Sequence, residues 1–163
     1  MSDLRILITG GTIDKVHDPR SEGLAFSPDG ATHVPEMLQI GRCHFPSTEV
    51  VMLKDSLYFD DTDRAAILRA ATDASEKALV ITHGTGTMGD TARYLAERIT
   101  AKTIVLTGAM RPFSLYASDG EFNLGGAVVA AQILDRGIWG VMNGRVFPAR
   151  DLNKNTDLGR FDA

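Results

Sequence analysis

The sequence predicts an α/β fold built on a mostly parallel sheet with helices on both faces. Three observations carry that expectation. Short apolar runs scarcely alternate, helical periodicity fills the segments between them, and glycine- and threonine-rich turns follow two of the runs. Runs without alternation suit strands buried on both sides, and strand–helix succession is the pattern of α/β architecture.

The first run, residues 5–9, leads into Thr9-Gly10-Gly11-Thr12-Ile13. Residues 14–32 then fit no regular element, because Pro19, Gly23, Pro28 and Gly30 interrupt a polar segment. A connection of that length reads as a lid, a binding loop or a disordered segment. Since it leaves directly from the first threonine turn, a lid over that turn is the preferred reading. Pro35-Glu36-Met37-Leu38 opens a short helix, with proline in its first turn. The second run, residues 49–53, precedes a helix over 63–72 whose buried side is Ala66, Ile67 and Ala70.

The third run, residues 78–82, ends in Thr82-His83-Gly84-Thr85-Gly86-Thr87-Met88. Ala92, Leu95, Ala96 and Ile99 follow at helical spacing, with Arg93 and Glu97 placed to pair on the opposite face. After the fourth run, residues 103–107, a further helix is marked by Leu124, Ala127, Val128, Ala131 and Leu134. Gly125 and Gly126 inside it each cost about 1 kcal/mol against alanine; close approach to a neighbour is the preferred reason, with flexibility as the alternative. The fifth run, residues 139–143, overlaps Asn143-Gly144, a two-residue hairpin signal before Arg145-Val146-Phe147.

Composition narrows the function classes. With 163 residues, 44% of them hydrophobic, the chain suits one domain with a substantial core. A net charge of −4 and scattered basic residues give no footprint for nucleic acid or a membrane surface. Cys43 stands alone, so an internal disulfide and a cysteine-rich zinc site are excluded, and we expect this thiol to be unreactive. The histidines His17, His33, His44 and His83 lack metal-ligand spacing, and no metal or other cofactor is implied. No stretch approaches the length of a membrane span. The short charged amino terminus has no apolar signal region, so a cytoplasmic location is expected.

The second turn contains Gly84-Thr85-Gly86-Thr87-Met88-Gly89, which satisfies the G-x-G-x-x-G pattern of dinucleotide folds. The next strand, however, runs into Leu106-Thr107-Gly108-Ala109-Met110 and offers no carboxylate for a ribose. The turn also follows the third run rather than the first, so a nucleotide site is set aside. What remains is a pair of threonine turns at strand C-termini, where open α/β sheets build their sites. Their glycines let backbone N–H groups approach a ligand, and two hydroxyls converge on one pocket.

Six motifs in register tie these turns together. They are Thr9-Gly10-Gly11-Thr12-Ile13, Asp55-Ser56, Thr82-His83-Gly84-Thr85, Gly108-Ala109-Met110-Arg111-Pro112, Ser118-Asp119-Gly120 with Phe122-Asn123-Leu124, and Arg150-Asp151-Leu152-Asn153-Lys154. In this order the chain resembles the bacterial-type L-asparaginases from residue 4 to about residue 161. The resemblance implies a flavodoxin-like three-layer domain equivalent to the family's amino-terminal domain, spanning 1–163 without the carboxy-terminal domain. It also implies hydrolysis of the side-chain amide of L-asparagine, with L-glutamine as a possible second substrate, in a homodimer or higher homo-oligomer.

By that resemblance Thr12 is the nucleophile and forms an acyl-enzyme, while Thr85 is a second catalytic threonine bonded to Lys154. A weak hydroxyl nucleophile needs such a neighbouring base. Backbone groups around Gly11 and Thr85 suit oxyanion stabilisation. Ser56 and Gly84 would hold the α-carboxylate, Gly86 would border the substrate, and the Ala109 carbonyl would accept from the substrate amide. Thr9 and His83 read as structural, and Arg111 and Asp119 as local pairing or capping groups. The chain departs from the family's pattern at Gly86, where an aspartate for the α-ammonium group is usual, and in having no tyrosine before Tyr58. Asp90 matches an acidic position the family already has. A binding domain of the same fold with impaired catalysis is the competing reading.

Overall fold

The computed structural model describes residues 3–162. Its central sheet has six strands: β1 (Leu4–Gly10), β4 (Ser47–Lys54), β5 (Ala78–Thr82), β6 (Thr103–Thr107), β7 (Gly137–Met142) and β8 (Arg145–Pro148). They lie in the order β4-β1-β5-β6-β7-β8. All neighbours pair in parallel except β7 and β8, which are joined by the expected Asn143-Gly144 hairpin turn. Asn143 and Gly144 both take positive φ, 54° and 75°, as a type I′ turn requires.

The apolar runs escape alternation because the sheet has two cores. Leu7, Leu79, Ile81, Ile104 and Leu106 enter one; Ile6, Ile8, Val80 and Val105 enter the other. Successive side chains of a strand point to opposite faces, so burial on both faces leaves the middle of each inner strand apolar, with polar residues near its ends. Helices α2 (Asp61–Asp73) and α3 (Met88–Ala96) supply Ile67, Ala92 and Leu95 to the first core. Helices α1 (Val34–Ile40) and α4 (Gly120–Ile133) supply Met37, Leu124, Ala127 and Ala131 to the second.

Three local expectations need correction. Residues 14–32 contain an antiparallel hairpin, β2 (Lys15–Asp18) with β3 (Gly23–Phe26). Its register follows no apolar alternation, which is why the sequence hid it. Arg93 does not pair with Glu97; it reaches back to Asp90 at 3.0 Å, while Glu97 pairs with Arg98. Only one of the helix glycines meets a close neighbour. A Cβ on Gly126 would sit 3.1 Å from Val141 Cγ1, whereas one on Gly125 would meet open space.

Candidate active site

Counting only the parallel strands, β1 lies between its two successors in the chain, β4 and β5. That arrangement makes the carboxyl end of the β1/β5 pair a topological switch point, the place where open sheets leave a crevice. The two threonine turns leave β1 and β5 at that end, with Ile8 paired to Thr82. Thr9 closes the strand end by donating to the Thr82 carbonyl at 2.7 Å, a packing role as expected.

Glycines set the spacing of the turns. Gly10 has φ +97°, and a Cβ there would lie 2.5 Å from the Lys54 amide nitrogen. Gly11 has φ +83°, and its Cβ would lie 2.5 Å from the Gly84 nitrogen. A Cβ on Gly84 would collide with Ser56 Oγ. The turns after β1, β4 and β5 therefore touch through bare backbone, which only glycine permits. Ser56 is buried at this junction, where its Oγ accepts from the Thr87 amide at 3.3 Å and its carbonyl from Thr87 Oγ1 at 2.9 Å.

Thr12 opens a single 3-10 turn, Thr12–Asp14, and is half-buried. Among the described residues no side chain hydrogen-bonds its hydroxyl. Thr85 is buried, and Lys154 Nζ donates to its Oγ1 at 3.1 Å across 69 residues of sequence. Lys154 is held there from both sides. Leu152 is fully buried against α3, and Phe161, paired with Lys154 across β9 (Lys154–Asn155) and β10 (Arg160–Phe161), packs on Phe147. Thr85, Gly86, Arg93, Asn153 and Lys154 line one open cleft of about 200 Å³.

Thr12, Gly11, Ser56, Gly84 and Ala109 do not line that cleft. Gly11, Gly84 and Ser56 form the adjoining junction, and buried Ala109 packs against Gly120 beside Ile13, the residue after Thr12. The loop carrying Ala109 is pinned by Asp119, which accepts from the amides of Met110 and Arg111 at 2.9 and 3.0 Å. Arg111 donates to the Tyr116 and Leu115 carbonyls, so both residues act locally, as expected.

His83 is fully buried, and burial pushes its imidazole down to about 4. A neutral ring has one donor and one acceptor nitrogen. Nδ1 lies 2.7 Å from the Gly84 carbonyl, which can only accept, so Nδ1 carries the proton and Nε2 accepts from Thr91 Oγ1 at 2.8 Å. His83 thus fastens the turn after β5 to α3 through both ring nitrogens.

Two residues near the site carried no sequence signal. Asp14 is completely buried and clasps both ends of the hairpin segment, accepting from Thr32 Oγ1 at 2.9 Å and from the His33 amide at 2.7 Å. Burial raises its carboxyl above the ordinary range against the pull of those hydrogen bonds. Leu57, two residues past Asp55, lies over Gly86. Tyr58, the neighbouring aromatic, is 74% exposed and stays outside the cleft. Among the described residues no cluster of three metal-ligating side chains occurs, and no helix is long and apolar enough to cross a membrane.

Comparison with known proteins agrees with this geometry. The chain is 32% identical to L-asparaginase 2 of Escherichia coli over 99% of its own length and 49% of the relative's. It is 34% identical to a probable periplasmic L-asparaginase of Haemophilus influenzae, covering 96% of this chain and 47% of that one. Among solved structures, the thermostable L-asparaginase of Thermococcus kodakarensis superposes with a TM-score of 0.75 at 29% identity, over 90% of this chain and 45% of the other. A probable cytoplasmic L-asparaginase of Campylobacter jejuni gives 0.74 at 29% identity, over 93% and 49%. The chain thus spans about half the length of these relatives. The model of the asparaginase amino-terminal domain matches residues 3–163, and the chain belongs to that family.

Proposed function

We propose that this chain carries the amidohydrolase chemistry of an L-asparaginase, with Thr12 as nucleophile and Thr85 and Lys154 as its proton-handling pair. The observation that supports the reading best is the 3.1 Å contact of Lys154 Nζ with Thr85 Oγ1 on a glycine turn at the switch point. A binding protein has little use for a lysine held against a buried hydroxyl.

In the proposed reaction Thr12 Oγ1 adds to the side-chain amide carbon and gives up its proton. The carbon–nitrogen bond breaks, the proton passes to nitrogen, and ammonia leaves an ester on Thr12. Water then adds to the ester, the Thr12–oxygen bond to the acyl carbon breaks, and aspartate departs as Thr12 regains its proton. Lysine near two hydroxyls suits general acid–base work in both halves. Backbone N–H groups around Gly11 and Thr85 would face the oxyanion. Ser56, Gly84 and Gly86 would border the α-substituents, and the Ala109 carbonyl would accept from the amide. No cofactor takes part.

We place residues 1–163 in a single amino-terminal-type unit that acts as a homodimer or larger homo-oligomer in the cytoplasm, on small amides rather than nucleic acid or membrane. L-Glutamine is the second candidate substrate, because glutaminase-asparaginases stand among the relatives, one at 37% identity over 60% of this chain. Thr12→Ala and Lys154→Ala should each lower ammonia release from L-asparagine by at least about a hundredfold while leaving the circular dichroism spectrum unchanged. Wild-type turnover in Thr12→Ala would refute the nucleophile. The competing reading, a binding domain without catalysis, draws on the lack of a carboxylate at Gly86. It predicts ligand binding with no ammonia release from the wild type.

A further inference from the structure

Lys154 sits on a short arm that follows the last strand of the sheet. Its strand β9 pairs with β10, Lys154 opposite Phe161, and Gly159 turns the chain between them at φ +60°. An isolated hairpin this short has no stability of its own, so the arm must be fixed from outside. On the β9 side Leu152 is buried, and Asn153 accepts from Arg93 at 3.3 Å. On the β10 side the anchor is Asn143, in the turn between β7 and β8. Its Oδ1 accepts from the Phe161 amide at 2.8 Å.

Asn143 is itself held by Asn123, which is fully buried on α4. Asn123 Oδ1 accepts from the Asn143 amide at 3.0 Å. Its Nδ2 donates to the Gly108 carbonyl at 2.9 Å and to Asp119 Oδ2 at 3.0 Å. The carbonyl and the carboxylate accept and the backbone amide donates, so the Asn123 side chain has one orientation. Asp119 extends the network by accepting from the Met110 and Arg111 amides. The turns after β6 and β7 and the Lys154 arm are therefore one hydrogen-bonded body. Thr85 stands on the turn after β5, which His83 fastens to α3. The 3.1 Å contact between Lys154 and Thr85 is where the two meet.

We propose that Asn143 is a positioning residue: through the Phe161 amide it sets the β9–β10 arm so that Lys154 Nζ meets Thr85 Oγ1. The inference rests on the amidohydrolase reading, in which that contact handles the proton, and adds a residue that does not line the cleft. Turnover depends steeply on such placement, since a displacement of about 1 Å costs about a hundredfold. Asn143 has a φ of 54°, which glycine and aspartate also tolerate ahead of Gly144. Its bond to Asn123 runs through its own backbone N–H and survives either replacement. The Phe161 bond can thus be removed alone.

The test compares Asn143→Gly, which deletes the acceptor and keeps the turn, with Asn143→Asp, which keeps an acceptor oxygen. Ammonia release from L-asparagine should show kcat at least about tenfold lower in Asn143→Gly, with KM within about twofold of the wild type. Asn143→Asp should retain kcat within about threefold. Wild-type kcat in Asn143→Gly, a defect confined to KM, or Asn143→Asp as slow as Asn143→Gly overturns the assignment. If the wild type releases no ammonia, the amidohydrolase reading fails, and nuclear magnetic resonance decides the positioning separately. The Overhauser contact between the Lys154 ε-methylene and the Thr85 side chain should be lost in Asn143→Gly and kept in Asn143→Asp. Its persistence in Asn143→Gly, or its loss in both variants, sinks the proposal.

Discussion

His83 sits in the turn after β5 and is the residue whose type most invites an acid–base role. Its surroundings forbid one. With both ring nitrogens engaged and the pKa down at about 4, it stays neutral where the enzyme would work. Linkage gives this a sign. The unfolded chain protonates its histidine near pH 6.5, while the folded chain refuses that proton until about pH 4. The contribution to stability is therefore complete above pH 6.5 and is lost as pH falls through that window, by about 3 kcal/mol in all. Urea unfolding at pH 7, 5.5 and 4 should show the decline, and His83→Gln, less stable at pH 7, should show a flatter one. Equal slopes in the two proteins would mean that other groups carry the acid sensitivity. Glu76, drawn down to about 2 by Arg5, adds its own loss only below about pH 4.5.

The contact of Lys154 with Thr85 was legible, because both residues lie in motifs that carry the family resemblance. Leu57 and Asp14 were not legible, and the reason is physical. Their roles are contacts with Gly86 and with Thr32 and His33, made across turns whose relative placement is a tertiary fact. Tyr58, close in sequence to Ser56, is no such contact. The backbone turns it outward and presents Leu57 instead.

Elements were read well where burial imposes a pattern and poorly where it does not. The four inner strands β1, β5, β6 and β7 and the helices packed on them follow from apolar runs and helical spacing, and the half-exposed edge strand β4 follows from its own run. The β2–β3 hairpin escaped because it lies at the edge of the molecule and is held by Asp14, Lys15 and Ser114 rather than by an apolar face. Glycines show the same division. Gly125 and Gly126 look identical in sequence, yet only Gly126 faces Val141. Gly125→Ala should stabilise the fold by about 1 kcal/mol, raising Tm by about 3 °C. Gly11→Ala, with φ +83° and the Gly84 backbone in the way, should destabilise by about 3 kcal/mol. Calorimetric melting of both variants checks the pair. A stabilised Gly11→Ala would mean that the turns after β1 and β5 are not in contact.

At the scale of the whole molecule, the outer face of α4 is covered by no other element among the described residues. Phe122, Val129 and Ile133 are 68, 57 and 76% exposed, and small Gly125 and Gly126 lie between them. Shallow grooves flank this ridge, one of about 380 Å³ lined by Ile40, Phe45 and Val129 and one of about 570 Å³ lined by Phe122, Ile133 and Val146. The pattern is self-complementary under a two-fold axis across the helix. In an antiparallel pair Phe122 of one copy meets Ile133 of the other, and Gly126 meets Val129. Glu121, ahead of Phe122, would then come near the far end of the partner helix, which Arg136 follows by three residues. Two-fold pairing needs one patch to match itself, and the spacing of Phe122, Gly126, Val129 and Ile133 along α4 allows that. The homo-oligomer proposed above would use this face. Val129→Glu would place an unpaired charge at the centre of the contact, at a cost of about 3 kcal/mol, which weakens association by about a hundredfold. Sedimentation velocity should find the wild type dimeric or larger and Val129→Glu monomeric at the same concentration. Glu121→Arg should weaken assembly, and adding Arg136→Glu should restore it, an outcome that general surface damage would not produce. A wild type that sediments as a monomer, or a double variant as weak as the single one, would leave α4 without its partner.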